Sequence, residues 1–189
     1  MLDTAFLLDA IPARYKTLGL SPLETYFAAA HGYQGPAGDV KALPMKKWFN
    51  TNYHYIVPEL SDDMKFTVSD TNKAVAEFNE AKALGIKTVP GLIGPYTFLH
   101  LATYTGEKKA CDFAPAITDA YIQHAKSLNA AGAEWISFAE PALVFDVTDD
   151  EKKLLVQVQF DSFSAHACAV ASPFDFSPDP FIFGYNFFN

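Results

Sequence analysis

The densest collection of groups able to do chemistry lies between Met45 and Pro58. Lys46, Lys47, Asn50, Asn52 and His54 are interleaved there with Trp48, Phe49, Tyr53 and Tyr55. Lysine ammonium groups pair with carboxylates and phosphates, and amides and an imidazole add directional hydrogen bonds. The aromatic and β-branched residues of the run favour a strand. A strand buried on both faces excludes Lys, Asn and His, because each brings polar groups that must be satisfied. The run therefore predicts a strand over residues 45–58 whose end forms the rim of a polar site, or else an edge strand with one wet face. Asn50, Asn52 and His54 alternate and would share one face of that strand. Around His54 no second His, Cys or carboxylate stands at ligand spacing, so the pattern assigns it no metal. Glu140, just before Pro141 and after the strand-forming run 134–138, is a further candidate for such a rim. Cys111 and Cys168 form no CxxC pair and read as reduced and structural. No catalytic residue and no metal-ligand set is assigned.

Composition bounds the partners. The chain has 189 residues, half of them apolar and 19% charged, which suits one soluble globular domain. A net charge of −8 opposes non-specific binding to nucleic acid or to an anionic membrane. Local basic sites remain at Lys46, Lys47, Lys108 and Lys109. The first residues carry Asp3 and Asp9 where a signal peptide needs basic groups. No apolar run reaches the roughly 18 residues of a membrane span. Unpaired cysteines and the absence of a leader point to the cytoplasm.

The elements that must hold these residues follow from periodicity and punctuation. Helical spacing covers residues 2–11, with Pro12 ending it. Ser21-Pro22-Leu23-Glu24 is a capping box for a helix reaching about Ala30, stopped at His31-Gly32. Residues 34–38 read as a loop. Asn72 caps a helix over 73–84, and Gly85 stops it. Residues 86–93 form a short strand ended by Gly94-Pro95, and 97–104 a brief helix. A long helix starts at Asp112 or Ala114, with Pro115 in its first turn, and ends at Ala131. Residues 134–138 form a third strand. Strands separated by helices pair in parallel through right-handed crossovers. The expectation is an α/β fold, a partial (βα)8 TIM barrel of about three parallel strands with flanking helices. An intact barrel needs about 250 residues, and its site loops follow the strands. Residues 160–189 hold eight of the seventeen phenylalanines, and 172–181 are rich in proline as well. That tail is expected to be irregular. The predicted division is a partial barrel over 1–150 and an atypical, non-native tail over 151–189, such as a shifted reading frame would leave.

The string Lys47-Trp48-Phe49-Asn50-Thr51-Asn52-Tyr53-His54-Tyr55 resembles the signature of the amino-terminal domain of cobalamin-independent methionine synthase. Leu7 to Tyr15, Glu77 to Gly85, Lys87 to Pro90, Leu92 to Leu99, Ala131 to Trp135 and Glu140 to Leu143 resemble further stretches of that family, in its order. The resemblance covers roughly residues 1–150. It implies a two-barrel enzyme that transfers a methyl group from 5-methyltetrahydropteroyl-polyglutamate to homocysteine, making methionine without cobalamin. It implies zinc in the carboxy-terminal barrel, with no ligands in this chain, and an amino-terminal barrel that holds the polyglutamate tail. The family's folate contact before Trp-Phe falls on Lys47. Asn50, Asn52, His54 and Glu140 are then candidate barrel-mouth residues. The family's usual Asp before Glu-Pro is replaced here by Ala139. The alternative expectation is a catalytically inactive remnant or a folate-tail binding module.

Overall fold

A computed structural model describes residues 1–68, 72–163, 168–170 and 182–187. Helix α1 spans Leu2–Leu7 and stops earlier than its apolar pattern. Asp9 takes a left-handed backbone, φ 53°, and Ala10 N–H returns to the Ala5 carbonyl at 2.8 Å. Asp tolerates that conformation and so supplies the C-terminal stop usually left to glycine. Helix α2 covers Ala13–Lys16 and α3 covers Pro22–His31. The α3 capping box forms as the sequence predicts, with Glu24 N–H donating to Ser21 Oγ and Ser21 N–H to Glu24 Oε2. The predicted loop 34–38 is the tip of an antiparallel hairpin, β1 (Tyr33–Gly35) with β2 (Gly38–Val40).

The single strand expected over 45–58 is not what forms. Strand β3 (Met45–Lys47) turns back and pairs antiparallel with β4 (His54–Ile56). Asn50, Thr51 and Asn52 are turn formers, and the side chain of Thr51 closes the bend. Thr51 N–H and Oγ1 both donate to the Trp48 carbonyl, at 3.1 and 2.6 Å, and Tyr53 N–H donates to Thr51 Oγ1 at 3.2 Å. Beyond it lie β5 (Glu59–Leu60), α4 (Lys73–Ala83), β6 (Gly91–Ile93), α5 (Pro95–Leu101), β7 (Thr103–Tyr104), α6 (Ala110–Ala131) and β8 (Trp135–Ala139). Residues 65–68 join no strand. Helix α6 starts earlier than predicted, which places Pro115 beyond its first turn. Gly132, at φ 100°, ends it.

The molecule is mixed α/β, with two parallel pairs in place of a trio. β5 pairs with β7, and β6 with β8, each in parallel. The described strands close no barrel. The expectation of an irregular tail is corrected where residues are described. Helix α7 (Asp149–Phe163) follows a Thr148–Glu151 capping box, with Leu154 and Val158 in the core. Strand β10 (Ile182–Phe187) lies antiparallel between β8 and β9 (Cys168–Val170). A helical start and strand-compatible apolar runs outweigh the prolines that surround them. The Pro-rich stretch 172–181 lies outside the described residues. The core gathers around α6, which packs on α4, α5 and α7 and buries Ile117, Tyr121, His124 and Leu128 along one side.

Candidate anion-binding hairpin at the strand ends

Parallel pairing brings the ends of β6 and β8 level, with Ile93 opposite Ala139. The residues that follow meet at once. Glu140 is fully buried and accepts from the backbone N–H groups of Tyr96, at 3.0 Å, and Thr97, at 2.6 Å. These are orphan donors in the first turn of α5, where a carboxylate is favoured. Gly94 N–H donates to the Ala139 carbonyl at 2.7 Å, and a Cβ on Gly94 would overlap the Glu140 carboxyl group. Thr97 Oγ1 accepts in return from Ala142 N–H at 3.2 Å, in a 3-10 turn over Pro141–Val144. Glu140 thus anchors a helix start.

The other parallel pair repeats this arrangement. Beyond β5, Asp62 accepts from Glu107 N–H at 2.9 Å and Lys108 N–H at 3.0 Å. These follow Gly106, just past β7, where a Cβ would overlap the Asp62 carboxyl. The two backbone donors hold the Asp62 carboxyl below its usual range. Lys108 is drawn into the same junction, its Nζ donating to the Asp62 carbonyl at 2.6 Å.

The β3–β4 hairpin stands on helix α5. Tyr55 Oη donates to the Leu101 carbonyl at 3.3 Å, and burial pushes the Tyr55 phenol up. Lys46 pairs across the ladder with Tyr55, and Lys47 with His54. Directly opposed residues share a face and neighbours alternate. Lys47 and His54 therefore lie together on the face away from Tyr55, and both are exposed. Asn50 and Asn52 are exposed in the connecting bend. The structure brings Lys47 and His54 together and leaves Asn50 and Asn52 off the strand face predicted for them.

An aromatic column runs from the bend to α5. Phe49 has a left-handed backbone, φ 55°. Its ring stacks on Phe145, with centroids 5.2 Å apart, and Trp48 meets it edge-on at 4.9 Å. Phe145 stacks in turn on His100 at 5.3 Å, and His100 lies 5.6 Å from Tyr96. His100 Nδ1 is 3.0 Å from Glu151 Oε1. Burial, with Glu151 and Glu140 nearby, pushes the Tyr96 phenol up to about 12. Sequence reasoning missed Phe145, His100 and Glu151, because they come together through contacts between distant segments.

It also missed His124. This imidazole is fully buried, its Nδ1 lies 2.8 Å from Asn72 Nδ2, and its Nε2 meets no partner among the described residues. Burial lowers its pKa to about 4, so it is neutral. The amide donor assigns the lone pair to Nδ1 and the proton to Nε2. The signal was present in the helical spacing of Ile117, Tyr121, His124 and Leu128.

A sequence profile described as the cobalamin-independent synthase, N-terminal domain, matches residues 1–176. The chain belongs to that family. Its relatives include a Lactococcus lactis subsp. lactis protein named 5-methyltetrahydropteroyltriglutamate–homocysteine methyltransferase, 49% identical over 158 residues, or 83% of this chain. A Streptococcus pneumoniae serotype 19F protein and a Streptococcus thermophilus protein of the same name are each 48% identical over 157 residues. The chain spans 21% of the length of each of these relatives. Among the described residues of this family member, no three His, Cys, Asp or Glu side chains gather so as to hold a metal ion. The family resemblance places its zinc in the carboxy-terminal barrel and assigns no ligand to this chain. No helix among the described residues is long and apolar enough to cross a membrane.

Proposed function

We propose that the chain forms part of the folate-binding side of a methionine synthase, and that its β3–β4 hairpin contacts the oligoglutamate tail of 5-methyltetrahydropteroyl-triglutamate. Lys47 is the direct contact, with His54 beside it and Asn50 and Asn52 at the bend. The placement of Lys47 and His54 side by side on an exposed hairpin face carries this reading. Each tail residue offers a carboxylate, and a run of carboxylates needs cations that remain in water until they meet it. One exposed pair of this kind contributes about 0.2–1 kcal/mol, so several must act together.

In the whole protein the reaction is methyl transfer from the folate to homocysteine, the two substrates named for the relatives. The zinc site, the cytoplasmic location and the partial TIM barrel over residues 1–150 belong to the same proposal. The two parallel pairs, each with a loop junction at its strand ends, support the barrel assignment. This chain's own part is to bind and orient the tail. The alternative product, a tail-binding module without turnover, is what the chain alone is expected to be.

The test is calorimetric titration of the 189-residue chain with penta-γ-glutamate at two salt concentrations. Binding that weakens with salt and falls about two- to fivefold in Lys47→Ala is expected. Equal affinity for wild type and variant would reject Lys47 as the contact. Supplied with zinc, methylfolate triglutamate and homocysteine, the chain alone should form no methionine, and measurable turnover would overturn that part.

A further inference from the structure

We propose that Phe145 and His100 are positioning residues for the hairpin, acting through Phe49 to set where Lys47 and His54 stand. The binding consequence rests on the function proposed above, while the conformational consequence stands apart from it.

Phe49 carries a side chain in a backbone region, φ 55°, that bulky residues avoid. Such strain persists where surrounding contacts over-determine it, and it clusters at functional sites. Phe145 supplies the contact. It is 42% exposed, so filling the core does not account for its place. Its ring lies between Phe49 and His100, tilted 24° from one and 27° from the other. His100 is held in turn. Glu151 Oε1 faces its Nδ1, while Oε2 of the same carboxylate accepts from Thr148 N–H at 2.9 Å at the start of α7. The rings Phe49, Phe145, His100 and Tyr96 thus form one column from the bend to α5. The lower end is fixed by Glu140, which grips the backbone of Tyr96. A bend of turn-forming residues could otherwise swing, and the two strands it joins are three residues each. Lys47 and His54 are the residues nearest the bend on the ladder, so they move with it.

The test compares Phe145→Ala with Phe145→Tyr, which keeps a flat ring, in the full 189-residue chain carrying Trp135→Phe. Trp48 is then the single tryptophan. Phe145→Ala should raise acrylamide quenching of Trp48 and speed amide exchange over residues 48–53 by about tenfold, with exchange in α6 unchanged. Penta-γ-glutamate affinity should fall about threefold, within the range of exposed ion pairs. Phe145→Tyr should restore both. Unchanged hairpin exchange in Phe145→Ala overturns the proposal. So does faster exchange throughout α6, which would mark loss of general structure. Loosening of the hairpin without loss of affinity also overturns it. If the parent chain binds no pentaglutamate, the proposed function fails, and the exchange and quenching data still decide the positioning role.

Discussion

Glu140 and Gly94 are best understood as one object. The carboxylate occupies the space that a β-carbon on residue 94 would need. Gly94→Ala should therefore destabilise the fold by about 1–3 kcal/mol, the usual cost of overpacking, measurable as a lower midpoint in urea. Glu140→Gln keeps the shape and one acceptor, but turns an NH2 toward a backbone donor. It should cost about 1–3 kcal/mol, the penalty of an unsatisfied buried donor. A variant as stable as the parent in the same titration would show that Glu140 does not hold α5. The strand-to-Glu-Pro transition was legible in the sequence, and so was a polar role at a strand end. That the carboxylate points inward was not, because its two donors lie 43 and 44 residues away. The string alone marks Lys47 as a candidate. Its pairing with His54 depends on a turn that strand propensity concealed.

At the scale of elements, the junction of α4 with α6 rests on Asn72. Its Oδ1 caps α4 by accepting from Val75 N–H at 3.2 Å, while its Nδ2 reaches His124. The cap was visible as an Asn before an apolar helical pattern. The reach to α6 was not, since spacing along one helix cannot say which neighbour it meets. Asn72→Ala should lose about 1 kcal/mol for the cap and a similar amount for the abandoned imidazole nitrogen. His124 also sets a pH dependence. Folded, it titrates near 4, against an ordinary value of 6.5. The unfolded chain therefore binds the proton first as acid is added. Stability is full above about pH 6.5 and declines as pH falls toward 4, by up to about 3 kcal/mol. Urea titrations at pH 7 and pH 4.5 on the parent and on His124→Phe test this. The variant should lose less stability between the two pH values, and an equal loss would clear His124 of responsibility.

Across the whole molecule, the outer edge of β6 has no strand beside it among the described residues. A cleft of about 590 Å³ runs there, lined by Phe6, Leu7, Leu23, Tyr26 and Ile93 among others. Leu23 is 67% exposed on its rim. An apolar surface next to an unpaired strand edge promotes association. Sedimentation of the chain should shift with concentration. Leu23→Glu should suppress that shift while changing stability by less than about 0.5 kcal/mol, as surface substitutions do. A concentration-independent monomer would remove the cleft from consideration. The global architecture was only half legible. Alternating helices and strands correctly called for parallel pairs, and β6 with β8 obeys. Two-residue strands such as β5 and β7 carry too few side chains to announce themselves, and the hairpin at 45–56 hid behind strand-forming residues.

The paired junctions at Gly94–Glu140 and Gly106–Asp62 also act as alignment gauges. In each, a carboxylate past one strand fits against a glycine past its neighbour and grips two successive amides. A slip of one residue would put a side-chain carbon where the carboxylate sits and leave the amides uncapped. Strands this short have little ladder with which to choose an alignment. The chain instead verifies each one after the strands end, with a lock that closes when the count is right.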